Sequence, residues 1–309
     1  MIMSDLKGKI WMDGEFIDWS DAKVHILTHT LHYGTGVFEG VRAYETTSGP
    51  AIFRLNDHTK RLYSSAELIG MEIPFSESEL NKAQTDVVMI NNLDNAYIRP
   101  MCFYGSEGMG LRADNLKVHA CIAAWDWGSY LGEDKIRNGI KVKVTDFPKR
   151  SEKSMLHKAK ASGNYLYSML ALKDALNSGY DEALILDINE NVNEGSGENF
   201  FMIKNNKIYT PKDETVLNGI TRQTIMKIAT DLNYEVIEKD ISVSEAKESD
   251  EAFFTGTAAE VTPIIQIDDV KISNGTPGDI TKKIQEIYFN LIRGKVPEYS
   301  YWLTQVNNV

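Results

Sequence analysis

Cysteine, long apolar runs and positive charge are all scarce in this chain of 309 residues. The two cysteines, Cys102 and Cys121, form no CxxC pair and lie in apolar strand-like runs, so we expect free buried thiols in a reducing compartment. No apolar stretch has the length of a membrane span, and residues 1–14 lack a signal-peptide pattern, so we expect a cytoplasmic protein with no membrane partner. The formal net charge of −11 argues against a nucleic-acid surface.

What is present indicates a globular protein with mixed secondary structure. Hydrophobic residues make up 42% of the chain and charged residues 25%. Asp13-Gly14 and Asn205-Asn206 are typical of tight hairpin turns, Asp57 can cap a helix to about Ile69, and Ser76 begins a capping box. The continuous apolar run 118–125 predicts a strand buried on both faces. The class is therefore α/β (mixed α+β), with mixed sheets and flanking helices.

The segment after the strand at 118–125 suggests a division of the chain. It carries Trp127, Gly128, Tyr130 and Gly132 and then mixed charges, and the strand pattern restarts near residue 140. We therefore predict a smaller N-terminal α/β domain over 1–126, a linker over 127–137 and a larger C-terminal domain over 138–309.

The stretch His157–Tyr165 contains the strongest candidate for chemistry, Lys160. A lysine acts as a nucleophile only as the neutral amine, and here small residues beside it would let a flat ligand approach the backbone. We expect the stretch to open a helix that runs to about residue 177 and carries an apolar face. Lys158 is the rival nucleophile, and a solvated lysine at a helix start is the ordinary alternative.

Other stretches suit a ligand that has a phosphate, an aldehyde and a pyridine ring. Residues 218–221 offer a capping side chain, a glycine and a hydroxyl at a helix start, and residues 256–258 form a second small-residue turn. Arg61 could pair with the phosphate, and Glu194 could keep a ring nitrogen protonated. Ordinary loop glycines and helix caps would explain any one of these features alone.

Three histidines, His25, His29 and His32, also invite a metal site. We discount this alternative because no carboxylate cluster or cysteine completes a ligand set and glycines interrupt the helix that would align the imidazoles. A turn-rich segment of a substrate pocket is the preferred interpretation.

The motifs together resemble the fold-type IV pyridoxal-phosphate enzymes, a two-domain architecture. They are Lys160-Ala-Ser-Gly-Asn-Tyr165, Glu194-Gly-Ser-Gly-Glu-Asn199, Asn218-Gly-Ile-Thr-Arg222 and Thr255-Gly-Thr-Ala-Ala-Glu260. The N-terminal motifs His32-Tyr33-Gly34, Phe38-Glu39-Gly40 and Tyr97-Ile98-Arg99-Pro100 are most similar to bacterial branched-chain amino-acid aminotransferases. The resemblance covers nearly the whole chain. It departs at Asn218, where proline is common, and at Ser162, where glycine is common.

The resemblance implies a cofactor, pyridoxal 5′-phosphate, makes 138–309 the cofactor-binding domain and gives a role to each matching residue. Lys160 would bond covalently to the cofactor aldehyde and move the proton between Cα and C4′. Tyr165 would bind the ring hydroxyl, and Glu194 would pair with the ring nitrogen. The phosphate ligands would be Arg61, Ile220, Thr221 and Thr257. The substrate-binding residues would be Phe38, Gly40, Tyr97, Arg99, Trp127, Tyr130, Thr257 and Ala258, with Tyr33 and Leu111 supplied by a partner subunit.

The same resemblance implies transfer of the amino group of L-leucine, L-isoleucine or L-valine to 2-oxoglutarate in a ping-pong cycle. The partners would be these small molecules and further copies of the chain, with a dimer as the minimal unit and a hexamer left open. The alternatives within the fold are a D-amino-acid aminotransferase, an amine transaminase and an aminodeoxychorismate lyase. Outside it, a non-catalytic binding module remains. The redox CxxC pair of mitochondrial relatives is absent, so no thiol switch is expected.

Overall fold

The structure, a computed structural model, describes residues 2–112, 115–128, 131–147 and 156–306. It divides into two compact units that alternate along the chain. Unit 1 is Met1–Gly128, Ala159–Gly163 and Leu291–Val309, and unit 2 is Ser129–Lys158 and Asn164–Asn290. The domain bounds 1–126 and 138–309 stay a prediction. The units differ from them because two later segments of the chain belong to unit 1.

Unit 1 contains one antiparallel sheet and three α-helices among its described residues. In chain order they are β1 (Lys9–Met12), β2 (Glu15–Asp18), α1 (His29–Tyr33), β3 (Gly36–Phe38), β4 (Val41–Thr46), β5 (Gly49–Phe53), α2 (Leu55–Leu68), α3 (Glu77–Ile90), β6 (Ala96–Tyr104) and β7 (Val118–Trp125). Near the C-terminus a 3-10 helix (Pro297–Trp302) leads into one more strand of this sheet, Leu303–Gln305.

The sheet of unit 1 is antiparallel and is built around β6. Its strand order is Leu303–Gln305, β5, β4, β6, β7, β1 and β2, and β3 continues beside β6. Leu62 on α2 and Leu80 on α3 are buried against the sheet, where they share a core with Ile98 and Ile122. Burial of each such side chain contributes ~1.5–3 kcal/mol. This core fixes α2, which carries Arg61, relative to β3 and β6.

Local sequence signals in unit 1 were partly right. The turn at Asp13-Gly14 joins β1 to β2, and Ser76 caps α3 in a capping box, so both predictions are confirmed. The Asp57 cap is wrong. Arg54 is the N-cap residue of α2, with φ at 50°, and Asp57 lies inside the first turn. The strand β7 was expected to be buried on both faces, but its burial alternates along the strand.

Unit 2 holds the remaining regular elements of the described chain. They are α4 (Glu133–Asn138), β8 (Ile140–Val144), α5 (Tyr165–Asn177), β9 (Glu182–Leu186), β10 (Val192–Glu194), β11 (Asn199–Lys204), β12 (Lys207–Thr210), α6 (Ile220–Asp231), β13 (Val236–Glu238), α7 (Val243–Lys247), β14 (Glu251–Gly256), β15 (Glu260–Ile267), β16 (Val270–Lys271) and α8 (Asp279–Ile292). The last helix ends in residues assigned to unit 1. We number the strand Leu303–Gln305 as β17.

The strands of unit 2 close into a ring. Their order is β10, β9, β8, β15, β14 and β11, and β11 pairs back with β10. β12 and β13 extend the sheet beyond β11, and β16 pairs with β15. β8 is parallel to both β9 and β15, whereas β14 is antiparallel to its neighbours. Parallel and antiparallel pairs in one sheet confirm the mixed α/β class.

The described helices are too short or too polar to cross a lipid bilayer. The helix α5 has an apolar face that meets solvent. Leu166, Met169, Leu170 and Leu176 are 65%, 67%, 40% and 52% exposed, whereas Ser168, Ala171 and Ala175 are buried. The predicted apolar face of this helix therefore exists, but within one chain it points away from the core.

Candidate active site

Lys160 lies in an extended segment and not in a helix, so the predicted helical position is wrong. Its N–H donates to Ser65 Oγ at 3.0 Å, and its carbonyl accepts from the N–H of Phe38 at 3.1 Å. Ala161 forms an isolated bridge with Val37. The helix α5 begins only at Tyr165, after a 3-10 turn over Ser162–Asn164. Contacts to residues distant in sequence thus fix the backbone on both sides of this lysine.

The amine of Lys160 is half-buried beside an aromatic ring and a group of buried charges. Its Nζ lies 5.2 Å from the centroid of the Phe38 ring. The positive charge of Lys160 also contributes to the lowered pKa of His58, which places the amine within electrostatic reach of that imidazole. The lysine is therefore held in unit 1 close to α2.

Glu39 is the centre of the buried charges in unit 1, a role that no sequence pattern predicted. Its side chain is 1% exposed. Oε1 accepts from Arg61 Nε at 2.7 Å, and Oε2 accepts from Arg61 Nη2 at 2.8 Å and from His58 Nδ1 at 2.7 Å. Burial alone would raise the pKa of Glu39, but the charge of Arg61 and the two hydrogen-bonding partners hold it well below its ordinary value.

His58 and Arg61 lie three residues apart on α2 and so share one face of the helix. Burial lowers the pKa of His58 below 6.5, and the charges of Arg61 and Lys160 add to that effect, although Glu39 opposes it. His58 is therefore neutral at pH 7 and donates its Nδ1 proton to Glu39. Since nothing in one sequence marks His58 or Glu39 as partners of Arg61, only the structure could find them.

Arg99, on β6, is surrounded by aromatic side chains. Its guanidinium carbon lies 4.7 Å from the centroid of Phe38 and 5.5 Å from that of Tyr97. Nη2 donates to Tyr97 Oη at 3.3 Å, and Trp127 packs edge-on against Tyr97 with centroids 4.7 Å apart. Nε of Arg99 is buried and has no hydrogen-bond partner among the described residues. A cation with an unsatisfied buried donor is suited to an incoming carboxylate.

Gly40 allows Tyr97 to take this position. A Cβ atom on Gly40 would lie 2.1 Å from Tyr97 Oη, which is far inside van der Waals contact. The structure therefore brings together Phe38, Gly40, Tyr97, Arg99 and Trp127. The predicted pocket residue Tyr130 lies outside the described residues. Tyr33 and Leu111 are 39% and 90% exposed, so neither is covered within one chain.

In unit 2, strand register aligns three polar side chains. Glu194 pairs with Asn199 where the ring of strands closes, and Asn199 pairs with Thr255 on its other side. Directly paired residues project from the same face of a sheet, so the three side chains form a row. Glu194 is 8% exposed, and Thr255 Oγ1 is buried without a hydrogen-bond partner among the described residues.

The start of α6 adjoins this row through Asn199. Asn199 Nδ2 donates to the carbonyl of Leu217 at 2.9 Å, and a Cβ atom on Gly219 would lie 1.9 Å from Asn199 Oδ1. Gly219 is the N-cap residue and makes no side-chain cap, so the predicted cap by Asn218 is wrong. Because the first N–H groups of a helix and its dipole favour anions, this end of α6 suits a phosphate.

The turn Thr257–Ala259 connects β14 to β15 at the same end of the sheet as Thr255. Glu260 follows it with φ at 55°, a conformation that costs a side chain of this kind ~1 kcal/mol or more. Thr257 and Ala258 are half-buried, and Tyr165 at the start of α5 is half-buried as well. Thus unit 2 carries the predicted residues Tyr165, Glu194, Ile220, Thr221, Thr257 and Ala258.

Lys158 and the three histidines, on which the alternative interpretations depend, have other contacts. Lys158 is 54% exposed and its Nζ lies 3.4 Å from Asp213 Oδ2, as a surface ion pair does. The three histidines bind separate groups: His25 accepts from the N–H of Leu27, His32 binds the carbonyl of Ile26, and His29 is enclosed by its own network. Within the described ranges, no three side chains of metal-ligating type come together.

Comparison with known proteins places these features in a family. The family model for amino-transferase class IV matches residues 36–267. A branched-chain-amino-acid aminotransferase of Pseudomonas aeruginosa is 53% identical over 306 residues, which cover 99% of this chain and 100% of that protein.

Solved structures agree. A branched-chain amino acid aminotransferase of Escherichia coli has a TM-score of 0.96 and 41% identity, with coverage of 98% of this chain and 100% of that one. The branched-chain amino acid aminotransferase of Thermobaculum terrenum in its PLP-form, the holo-form, has a TM-score of 0.91 and 32% identity, with coverage of 98% and 99%.

The described residues fit the cofactor of this family, pyridoxal 5′-phosphate. In unit 2, the hydroxyl of Thr255 and the buried carboxylate of Glu194 stand in one row, and the start of α6 suits an anion. In unit 1, Arg61 carries a guanidinium held by Glu39, and Lys160 carries an amine. With 53% identity over the full chain to one such enzyme, this fold-type IV protein belongs to the class IV aminotransferases and, within them, to the branched-chain-amino-acid aminotransferases.

Proposed function

We propose that this chain transfers the amino group of L-leucine, L-isoleucine or L-valine to 2-oxoglutarate. The cycle is ping-pong: the amino acid leaves as its 2-oxo acid before 2-oxoglutarate binds and leaves as L-glutamate, and bound pyridoxal phosphate would carry the amino group between the two half-reactions. The observation that carries the proposal is the pairing of one cation, Arg99, with an apolar wall of Phe38, Tyr97 and Trp127.

Lys160 is the catalytic residue of the proposal. When bound, pyridoxal phosphate supplies an aldehyde that reacts with amines and a protonated ring that withdraws electrons from Cα of the substrate. The backbone of Lys160 is fixed at both its N–H and its carbonyl, so the amine moves on an anchored stem. We assign to Lys160 the covalent bond to the cofactor and the movement of the proton between Cα and C4′.

Other residues hold the cofactor in this proposal. Glu194 pairs with the ring nitrogen, and its buried position at the β10–β11 closure supports a fixed contact. Tyr165 binds the ring hydroxyl. Arg61, the start of α6 at Ile220 and Thr221, and Thr257 bind the phosphate. The bidentate contact of Arg61 with Glu39 supports this role because it fixes the direction of the guanidinium.

In this proposal, the carboxylates of the substrates bind polar and charged groups, and their aliphatic parts contact an apolar surface. We assign the α-carboxylate to Tyr97 and to the amides near Thr257 and Ala258. The unsatisfied Nε of Arg99 supports its assignment to the second carboxylate of 2-oxoglutarate or glutamate. The aliphatic side chain of leucine would contact Phe38, Trp127 and Tyr130, and Gly40 provides the space for Tyr97. One pocket can then accept both kinds of substrate.

We also propose a homodimer as the minimal assembly, in which Tyr33 and Leu111 complete the substrate pocket of the partner subunit. Exposed apolar side chains support it. Leu111 is 90% exposed, and Ile26, Leu27, Leu31 and Met109 are 73%, 45%, 59% and 48% exposed. Exposed apolar side chains that lie close together in the chain, as at 26–31 and 109–111, are typical of an interaction surface. The exposed apolar face of α5 is a further surface through which such dimers could assemble into a hexamer. With two free cysteines, we place the enzyme in the cytoplasm.

An Arg99→Met variant tests the substrate assignment. Because a charge-assisted hydrogen bond contributes ~1.5–3 kcal/mol, KM for 2-oxoglutarate should rise about tenfold or more. KM for L-leucine should change less than about twofold, since its side chain has no charge to lose. Arg54→Met is a matched control in the same unit, because it removes an arginine that pairs with Asp57 instead. Equal changes for both substrates would refute the role of Arg99.

A further inference from the structure

His29 binds both ends of the glycine-rich segment 105–110. Its backbone N–H donates to the carbonyl of Gly105 at 2.7 Å, and its ring Nε2 lies 2.7 Å from the carbonyl of Gly110. The segment contains three glycines, so it would lose an unusually large amount of conformational entropy on becoming ordered. One residue, itself 2% exposed, therefore closes this loop at its start and at its end.

The partners of His29 also determine its tautomer. A carbonyl oxygen can only accept, so Nε2 must carry the proton that it donates to Gly110. The other ring nitrogen, Nδ1, then accepts from the hydroxyl of Thr35 at 2.9 Å. Thr30 in turn donates to the carbonyl of Thr35 at 3.0 Å and accepts from the N–H of Tyr104 at 3.0 Å. Both ring nitrogens of His29 therefore have a hydrogen-bond partner in this partly buried network.

The ring of His29 contacts Tyr33 and the carbonyl of Gly110, the residue before Leu111, and we expect Tyr33 and Leu111 to enter the partner's pocket. Tyr33 packs on it with centroids 4.4 Å apart and an interplanar angle of 38°. Leu111 follows Gly110 directly and is 90% exposed. A shift at the Gly110 carbonyl would move Leu111 with it, because they share a peptide unit.

We propose that His29 is a positioning residue for substrate recognition in the partner subunit: it holds segment 105–110 and Tyr33 so that Leu111 meets the side chain of the amino acid there. The inference rests on the proposed function and on its dimer. No proton or electron moves at His29 in this role. Its contribution is to KM for the branched-chain substrate, and it acts across the subunit boundary.

A matched pair of variants tests the contact. The amide of His29→Gln reaches the former Nε2 position and can donate to Gly110, whereas the amide of His29→Asn is one methylene too short. H29N should raise KM for L-leucine about tenfold, the factor expected when a buried acceptor loses its donor, and should change kcat less than about twofold. H29Q should stay within about twofold of the wild type for both. Equal KM values for H29N and H29Q would overturn the inference.

Tyr104→Phe is the control for a general loss of stability. It removes a partly buried hydrogen bond from Tyr104 Oη to the carbonyl of Gly70 at 3.1 Å and keeps the ring that packs edge-on against His29. It should lower the melting temperature and keep the wild-type KM. A KM as high as that of H29N would show a merely structural effect and would contradict the proposal.

Mixed dimers show in which subunit His29 acts. Chains carrying H29N and chains carrying Lys160→Ala are produced together with different affinity tags and purified over both. The active pocket then has Lys160 from the H29N chain and Leu111 from a chain with intact His29. The proposal predicts the wild-type KM for L-leucine in this dimer. A raised KM, as in the H29N homodimer, would place the effect in the same subunit and overturn the proposal.

Hydrogen exchange provides a readout that does not depend on activity. Amides in 105–112 should exchange faster in H29N than in H29Q, because only the latter retains the Gly110 contact. If the wild-type chain does not react with L-leucine, the proposed function fails. The difference in exchange rate between H29N and H29Q then still tests whether His29 holds segment 105–110. If the wild type reacts and the two variants exchange alike, the inference about His29 fails alone.

Discussion

The carboxylate of Glu39 accepts two parallel hydrogen bonds from the guanidinium of Arg61, Nε–Oε1 at 2.7 Å and Nη2–Oε2 at 2.8 Å. Glu39 is 1% exposed and Arg61 is 14% exposed, so water screens this pair little. His58 adds a third hydrogen bond to the same carboxylate. An arginine held in this way keeps one orientation, and a fixed guanidinium is suited to bind a phosphate group.

Glu39→Gln should destabilise the protein and weaken cofactor binding. The glutamine keeps the shape but leaves the Arg61 charge buried without its counter-charge, at a cost of about 3 kcal/mol. We expect a lower free energy of unfolding and about a tenfold higher Kd for pyridoxal phosphate. Denaturant titration of the apoprotein and titration of that apoprotein with the cofactor measure the two effects separately.

The control for this variant is Asp86→Asn, which breaks the exposed ion pair with Lys82 on α3. Such pairs contribute ~0.5 kcal/mol or less, so neither stability nor cofactor affinity should change much. If Glu39→Gln behaves like Asp86→Asn, the buried contact does not position Arg61.

Lowering the pH should destabilise the folded protein, and protonation of His58 should cause the first loss of stability. Burial lowers the pKa of His58 in the folded state below 6.5, so the unfolded chain binds its proton first. The stability due to this group is present above pH 6.5 and is lost as the pH falls below that value. His58→Asn should flatten the decline below about pH 6.5, where one group contributes at most ~1.4 kcal/mol per pH unit.

Protonation of Glu39 should cause a second loss of folding stability at lower pH. Burial alone would raise its pKa, but Arg61 and His58 lower it well below the ordinary 4.5. Stability from Glu39 is therefore present above pH 4.5 and is lost as the pH falls further. Free energies of unfolding of the apoprotein across this pH range test both steps, with the exposed His25→Gln as a control. An unchanged curve for His58→Asn would contradict the first assignment.

Gly219→Ala should weaken cofactor binding although its backbone conformation suits alanine. The new Cβ atom would lie 1.9 Å from Asn199 Oδ1, so either Asn199 or the start of α6 must move. We expect about a tenfold higher Kd for pyridoxal phosphate. Gly197→Ala is the matched control from the neighbouring loop, because a Cβ atom there meets nothing within 4 Å. Equal affinities in the two variants would argue against α6 as the phosphate site.

The two thiols should be nearly inert in the folded enzyme. Burial, helped by nearby negative groups, raises the pKa of Cys102 and that of Cys121 to about 12. At pH 8 about one thiol in ten thousand is then a thiolate, the reactive form. A disulfide reagent should label neither cysteine before unfolding and both after it. Rapid labelling with loss of activity would instead indicate a thiol switch.

Signals that act over a few residues were readable from the sequence. The Asn205-Asn206 turn joins β11 to β12 with both residues at positive φ, and Ser178-Gly179 ends α5, as expected. The capping box at Ser76 has the same local character. Each of these structures depends on side chains and backbone groups that are adjacent in the chain, so pattern is sufficient.

Contacts between distant segments were not readable. The helical pattern around Lys160 was real, but Ser65 and Phe38 hold the lysine in an extended segment before the helix begins. Periodicity also predicted the apolar face of α5 without saying what covers it, and the described part of one chain leaves that face exposed. The contacts of Glu39 with His58 and Arg61 arise from the packing of α2 on the sheet, which no local pattern encodes.

A single-turnover reaction tests the central claim most directly. The purified enzyme is saturated with pyridoxal phosphate and mixed with L-leucine, or separately with D-alanine, in the absence of any 2-oxo acid. We predict that L-leucine removes the yellow absorbance and that D-alanine does not. Lys160→Ala should abolish the change, whereas Lys158→Ala should retain it. A reaction with D-alanine alone would contradict the assigned substrate, and a protein that never becomes yellow would contradict the catalytic assignment itself.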